Sequence, residues 1–320
     1  MTTKPIHSSD DLIEHAVAIA HQGRKPTVAA AAAQDVDVIG AMSQAASDGF
    51  LDGILVGDRQ AITRMASDGG IDIGHLEVID EKDVTKAAHR AAELASKGQA
   101  QAIMKGFLPT SALLKVVLDK QYSLRGKNTL SHCAVLDIPG YHKLLNLTDG
   151  GMVVKPDQEQ KLQILENAVL VGRALGLSPV KIAVSGAHDK PSAKLAHTIS
   201  DMDYIIPRAM KKLKDIAIQG PLPFDLATSK AAADPKQAEG MVVGDADIYL
   251  VDSIEECNIV AKSLIQFAEA VFAGVIVGAR VPVSLVSRTD TMKNKKASLA
   301  LACVLSDYYS SHGVTEKGEN

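Results

Sequence analysis

The feature that most constrains this chain is an alternation that runs along its length. Short apolar runs of strand length, each stopped by a glycine or a charged residue, are followed by stretches of helical periodicity. Residues 28–33 (V-A-A-A-A-A) lead to Asp35, which opens a helix to Ala46 closed by Gly49. Residues 51–56 form the next short strand, ending on Gly57 and Asp58, with a helical pattern over 60–67. A strand over 75–79, a helix over 83–97 stopped by Gly98, and the strand A-I-M at 102–104 continue the series. Further on, the spacing predicts a strand over 130–136, a long helix over 158–175, strands over 180–185, 216–218 and 247–252, a helix over 259–272, a strand over 281–286 and a helix over 293–306. A helical pattern at 192–213 is interrupted by Pro207. Strands alternating with helices at this spacing make βαβ units and a largely parallel sheet.

Composition narrows the function classes. An apolar content of 46% supports a sizeable core, and with no Trp and only 3% aromatics that core must be aliphatic. So few aromatics leave no base-stacking surface, and a net charge of −4 gives no general attraction to nucleic acid or an anionic membrane. The opening M-T-T-K-P-I-H-S-S-D-D-L has no apolar centre and is not read as a secretory signal, and no apolar run reaches membrane-spanning length. Cys133, Cys257 and Cys303 are odd in number and far apart, which points to a reducing cytoplasm without a disulfide frame or a zinc spacing. The dinucleotide fingerprint, the Walker motif, H-E-x-x-H, C-x-x-C and G-x-S-x-G are all absent.

Chemistry is expected where strands end, because open α/β sheets bind ligands beyond the carboxyl ends of their strands. The strand at 281–286 stops at Ser287, Arg288, Thr289 and Asp290, a hydroxyl, a guanidinium and a carboxylate within four positions. The plain alternative is a helix start, with Asp290 or Thr291 as its cap. Strand 102–104 runs into Lys105 and Gly106, and Pro109, Thr110 and Ser111 follow where a helix begins. Free amides at a helix start attract anions, and Lys105, Thr110 and Ser111 can add direct contacts; an ordinary turn with a solvated lysine is the alternative. Arg125, Ser131 and His132 flank the start of another strand, and Asn258 lies near a helix start, either as a donor to a ligand or as an internal cap.

Several blocks, taken in order, resemble one family, the phosphate acyltransferases (phosphate acetyltransferase and phosphate butyryltransferase). They are D-G-I-L-V-G-D (52–58), A-I-M-K-G-F-L-P-T (102–110), L-S-H-C-A-V (130–135), L-L-N-L-T-D-G-G (144–151), G-P-L-P-F-D (220–225), G-D-A-D-I-Y-L-V (244–251), C-N (257–258) and V-G-A-R-V-P-V-S-L-V-S-R-T-D (277–290). The M-K-G-x-x-x-T block and the S-R-x-D spacing look more like the butyryl than the acetyl branch. The resemblance implies two α/β domains of the isocitrate/isopropylmalate dehydrogenase-like kind with an active-site cleft between them. It places a discontinuous domain at 1–140 plus 274–320 and an inserted one at 141–273. It implies a homodimer or larger assembly without metal, with acyl-CoA and inorganic phosphate or acyl phosphate as partners and coenzyme A as a substrate rather than a resident cofactor. Ser287, Arg288 and Asp290 are then the catalytic group, with Lys105, Gly106, Thr110, Ser111, Ser131, His132 and Asn258 contacting phosphate or CoA. The acetyl branch carries an aspartate several residues after its S-R pair, where this chain has Met292, Lys293 and Asn294. Two other classes are kept beside this one: an isopropylmalate-type nicotinamide dehydrogenase, and a non-catalytic binder of CoA or acyl phosphate.

Overall fold

The computed structural model describes residues 4–190, 194, 196–287 and 290–314. Two compact units emerge, one built from Ser9–Lys127 and the carboxy-terminal stretch from Val271, the other from Asn128–Ala270 with the residues up to Ser8.

The first unit starts with α1 (Ser9–Ile19) and then alternates strand and helix: β1 (Thr27–Ala31), α2 (Val36–Ser47), β2 (Asp52–Gly57), α3 (Arg59–Asp68), β3 (Glu77–Asp80), α4 (Val84–Ser96), β4 (Ala102–Lys105) and α5 (Thr110–Val117). Three of these helices start the same way. The side chains of Asp35, Asp58 and Asp83 each accept two backbone N–H groups of the first turns of α2, α3 and α4. Each such cap meets donors that the helix itself leaves open and is worth about 1 kcal/mol.

In the second unit β5 (Ser131–Asp137) and β6 (Leu145–Thr148) lead to α6 (Gln158–Ala174), β7 (Val180–Ser185), α7 (Ala196–Lys212), β8 (Ile216–Leu222), the short helices α8 (Phe224–Thr228) and α9 (Lys230–Ala233), β9 (Ile248–Leu250) and α10 (Ile254–Phe267). The strand order is β5-β6-β9-β7-β8, parallel throughout except for the antiparallel β5–β6 pair. Two expectations are corrected here. Pro207 does not interrupt α7; Ile205 and Ala209 are buried on either side of it, and their packing carries the helix past the missing N–H. The strand expected over 216–218 runs on to Leu222 and takes in Gly220 and Pro221, which the ladder tolerates because β8 lies at the end of that strand order.

The chain then completes the first unit with β10 (Val271–Val277), β11 (Val283–Ser284) and α11 (Met292–Ser311). The order there is β3-β2-β1-β4-β11-β10, parallel except for β10–β11. The expected strand over 281–286 shrinks to β11, held between Ile103 of β4 and Val275 and Ile276 of β10. Helix α11 is buried almost all round, from Ala297 to Leu305, because it lies on β10 with α1 and α2 packed over it. The alanine run of β1 suits this arrangement: Val28 to Ala33 are fully buried, and small side chains let helices approach the sheet closely. The fold is thus α/β, a mostly parallel multi-strand arrangement flanked by helices. Among the described residues no helix is long and apolar enough to cross a membrane.

Candidate active site

In the first unit three strands deliver their carboxyl ends to one edge. Ala31 of β1 is level with Lys105 of β4, and Ser284 of β11 is level with Met104. Leu285 therefore stands beside Lys105, and Ser287 emerges two residues further on. Lys105 is buried, 7% exposed, with Nζ 3.3 Å from the Gly106 carbonyl. Gly106 is required by a close approach: a Cβ there would lie 2.2 Å from the Ala32 carbonyl oxygen and 2.5 Å from that of Ala31. The amides of Gly106 and Phe107 donate to Ala31 O (2.9 Å) and Ala32 O (2.7 Å). They moor the turn to β1, so the Gly106 amide is not an anion donor. The donors that remain are at the start of α5. Pro109 is its N-cap and supplies no side-chain acceptor, and no acceptor from the described residues meets the amides of Thr110 and Ser111.

After β11, Ser287 and Asp290 are bonded to each other. The Ser287 amide donates to Asp290 Oδ2 at 2.5 Å, and the Asp290 amide returns a bond to Ser287 O at 3.2 Å. The other carboxylate oxygen of Asp290 lies 3.4 Å from Asn294 Nδ2. Thr291, not Asp290, caps α11, accepting from the Asn294 amide at 3.2 Å. Asp290 is therefore occupied in shaping the turn that presents Ser287. Arg288 and Thr289 lie outside the described residues. Sequence reasoning passed over Lys295, whose Nζ donates to Asp290 O at 2.6 Å from a buried position; in the run K-N-K-K it reads as a solvated residue.

Ser131, His132 and Asn258 belong to the second unit, where they gather around one turn. Asp149, directly after β6, is 3% exposed and accepts four backbone N–H groups, from His132 (3.1 Å), Gly151 (2.8 Å), Met152 (3.0 Å) and Val153 (2.9 Å). Burial pushes its carboxyl above the usual range, against the downward pull of those amides. The turn wraps the His132 ring so closely that a Cβ at Gly150 would lie 3.0 Å from His132 Nδ1 and 3.1 Å from Cys257 Sγ. Asn258 donates to the Gly150 carbonyl and to Ile254 O, both at 3.0 Å, and so ties α10 to the same turn. Ser131 is fully buried, and its hydroxyl accepts from Asn167 of α6 at 2.9 Å. Arg125 stands apart, exposed and bridged to Ala279. The T-D-G-G motif was visible in the sequence, but nothing local revealed that its aspartate gathers four amides.

Burial pushes the Cys133 thiol up to about 12, and the thiols of Cys257 and Cys303 higher still. None is a thiolate near neutral pH, so none is a ready nucleophile. Among the described residues no three His, Cys, Asp or Glu side chains are gathered as a metal ion would need.

Comparison with known proteins decides the family. Residues 81–303 match the family described as phosphate acetyl/butaryl transferase. The chain belongs to that family. This transferase is 36% identical over 278 residues to the phosphate butyryltransferase of Clostridium acetobutylicum, covering 87% of this chain and 92% of that one. It is 38% identical over 287 residues to a probable phosphate butyryltransferase of Bacillus subtilis, covering 89% and 95%. Among solved structures it is similar to a branched-chain phosphotransacylase from Enterococcus faecalis, with a TM-score of 0.78 and 31% identity over 88% of this chain and 99% of that one. The family match leaves the isopropylmalate-type dehydrogenase alternative unfavoured.

Proposed function

We propose that this chain, a phosphate acyltransferase by family, moves a short acyl group, butyryl or branched rather than acetyl, between coenzyme A and inorganic phosphate by direct attack in a ternary complex. A phosphate oxygen attacks the thioester carbonyl, the carbonyl electrons pass to oxygen, and collapse of that oxyanion breaks the C–S bond. CoA leaves as thiolate and acyl phosphate is formed; the reverse reaction starts from the CoA thiolate. Holding both substrates together supplies most of the advantage, and fixed positive charge and N–H donors absorb the charge that develops.

The observation that carries this reading is the shared row of strand ends bearing Lys105 and, two residues past Leu285, Ser287. Lys105 with the open amides of Thr110 and Ser111 receives phosphate. Ser287 donates to the sulfur or the phosphate, and Arg288 meets the oxyanion and phosphate oxygens through its planar fork. Asp290 holds the Ser287 turn rather than acting as a free base. Of the residues expected to meet CoA, His132, within the Asp149 turn, keeps that role; the Ser131 hydroxyl is buried against Asn167 and Asn258 is bonded to the Gly150 and Ile254 carbonyls, so both are read as supports of that turn. The three protonated cysteines support transfer without an acyl-enzyme. Coenzyme A acts as a co-substrate, and the two units act as two domains. The protein works in the cytoplasm, where its three free cysteines stay reduced. It assembles as a homo-oligomer: of the fourteen residues of α10 only Cys257 and Ala261 are buried, and Ile259 and Phe267 are exposed at 68% and 85%, an apolar face suited to a second copy.

The test is phosphate-dependent thiol release across acetyl-, propionyl-, butyryl- and branched acyl-CoA, with Arg288→Ala beside the unaltered protein. Release is expected to be fastest with the four-carbon and branched substrates and to fall at least about 100-fold in Arg288→Ala. Normal turnover in that variant would refute the role given to Arg288, and no release with any acyl-CoA would remove the reading altogether.

A further inference from the structure

Lys295 is an unusual place for a charge. It stands in the first turn of α11 with 1% of its surface exposed. An ammonium taken out of water is costly unless partners meet it. Among the described residues the only carboxylate within ion-pair reach is Asp37, at 3.4 Å, and the Asp37 side chain is itself 45% exposed on the first turn of α2. The shorter bond, 2.6 Å, goes to the main-chain carbonyl of Asp290. A lysine that only needed neutralising would sit against a buried carboxylate. This one grips the backbone of the loop whose Asp290 carboxylate holds the Ser287 amide.

The other end of the contact matters equally. Helix α2 begins a few residues after β1, and the last carbonyls of that strand and its exit, Ala31 O and Ala32 O, hold the amides of Gly106 and Phe107. The β1–α2 connection thus supports the Lys105 turn through its backbone, and through Asp37 and Lys295 it reaches the Ser287 turn. The two turns share no sequence neighbourhood and have this connection in common.

We propose that Asp37, Lys295 and the Asp290 carbonyl form a strut that sets the Ser287 turn in register with the Lys105 turn, with Lys295 as a positioning residue for the transfer reaction. Its kinetic consequence rests on the acyltransferase reading; its structural consequence does not. Lys295→Met keeps length and burial but removes the charge and the donors.

Amide exchange of the segment carrying Ser287 is expected to quicken at least about tenfold in Lys295→Met, with cooperative unfolding retained. Phosphate-dependent turnover is expected to fall by about 10- to 100-fold while the KM for acyl-CoA stays within about threefold, because a misplaced group spoils the transition state more than binding. Lys295→Arg recovers part of the turnover. Asp37→Asn costs roughly threefold alone and adds little on top of Lys295→Met, since both act through one strut. Unchanged exchange in Lys295→Met overturns the strut whether or not the protein is active. Faster exchange with undiminished turnover overturns the positioning role. Absence of turnover in the unaltered protein overturns the acyltransferase reading, and the exchange measurement then still decides the strut. Should Lys295→Met not fold, Asp37→Asn at its half-exposed site decides: unaltered exchange and turnover there overturn the proposal.

Discussion

Replacing Asp149 tests how much of the second unit's site is organised by one carboxylate. Its Oδ1 receives the amides of His132, Gly151 and Met152, and its Oδ2 receives that of Val153. Asp149→Asn can place its amide oxygen where Oδ1 sits and keep three bonds. Its NH2 then faces the Val153 N–H, donor against donor. Val153 is half-buried, so water can relieve part of the conflict, and the loss is expected at about 1–2 kcal/mol. Asp149→Ala removes all four acceptors. The His132 amide lies in a buried strand and stays unmet, while those of Gly151, Met152 and Val153 are half-buried and partly rehydrate, for a loss of about 3–5 kcal/mol. Equilibrium urea unfolding of the three proteins, with unchanged m values, measures both steps. Equal losses for Asn and Ala, or a loss below about 1 kcal/mol for Ala, would show that the four short contacts do not hold the turn.

Three further outcomes are expected. Gly106→Ala drives a Cβ into the backbone oxygens of Ala31 and Ala32, so it should lose about 1–3 kcal/mol and depress turnover by displacing Lys105; a variant with unaltered melting and turnover contradicts the close approach. Asp245 is pushed up by burial, but hydrogen bonds from Lys143, Lys181 and His142 outweigh this and hold its carboxyl well below the usual range. Its contribution is therefore fully present above the unfolded value near 3.9 and is lost only as pH falls on through the much lower folded value, so the stability gap between the unaltered protein and Asp245→Asn should be widest near neutrality, on the order of 3 kcal/mol, and narrow only in strong acid; a gap already closed at pH 4 counts against the pairing. Ile259→Asp with Phe267→Asp should lower the mass measured by light scattering to that of a single chain, and an unaltered mass would place the assembly surface elsewhere.

Several elements were readable in advance for local reasons. An aspartate just before an apolar helical pattern caps that helix, as Asp35, Asp58 and Asp83 do. Strands ending in Lys105 and just short of Ser287 were readable because apolar runs stop at polar residues, and the parallel sheet followed from their alternation with helices. Other features escaped because packing overrides local preference. Pro207 remains in helix, Gly220 and Pro221 remain in strand, and the strand expected over 281–286 is two residues long because only Val283 and Ser284 find partners on both sides. Ser131 looked available for a ligand, yet its hydroxyl is met by Asn167, 36 positions away.

The sequence by itself determined the α/β class, the helix starts at Asp35, Asp58 and Asp83, and which strand ends carry a lysine and a hydroxyl, since these depend on backbone sterics, capping and apolar periodicity among near neighbours; it did not show β10, whose first residues fall in the helix expected over 259–272. Only the tertiary structure decided which polar groups are spent on holding the site: Asp149 on four amides, Asp290 on the Ser287 turn, Lys295 on the Asp290 carbonyl and on an aspartate 258 positions earlier. The reason is that desolvation makes a buried polar group seek whichever partner the fold brings near, and no local rule names that partner.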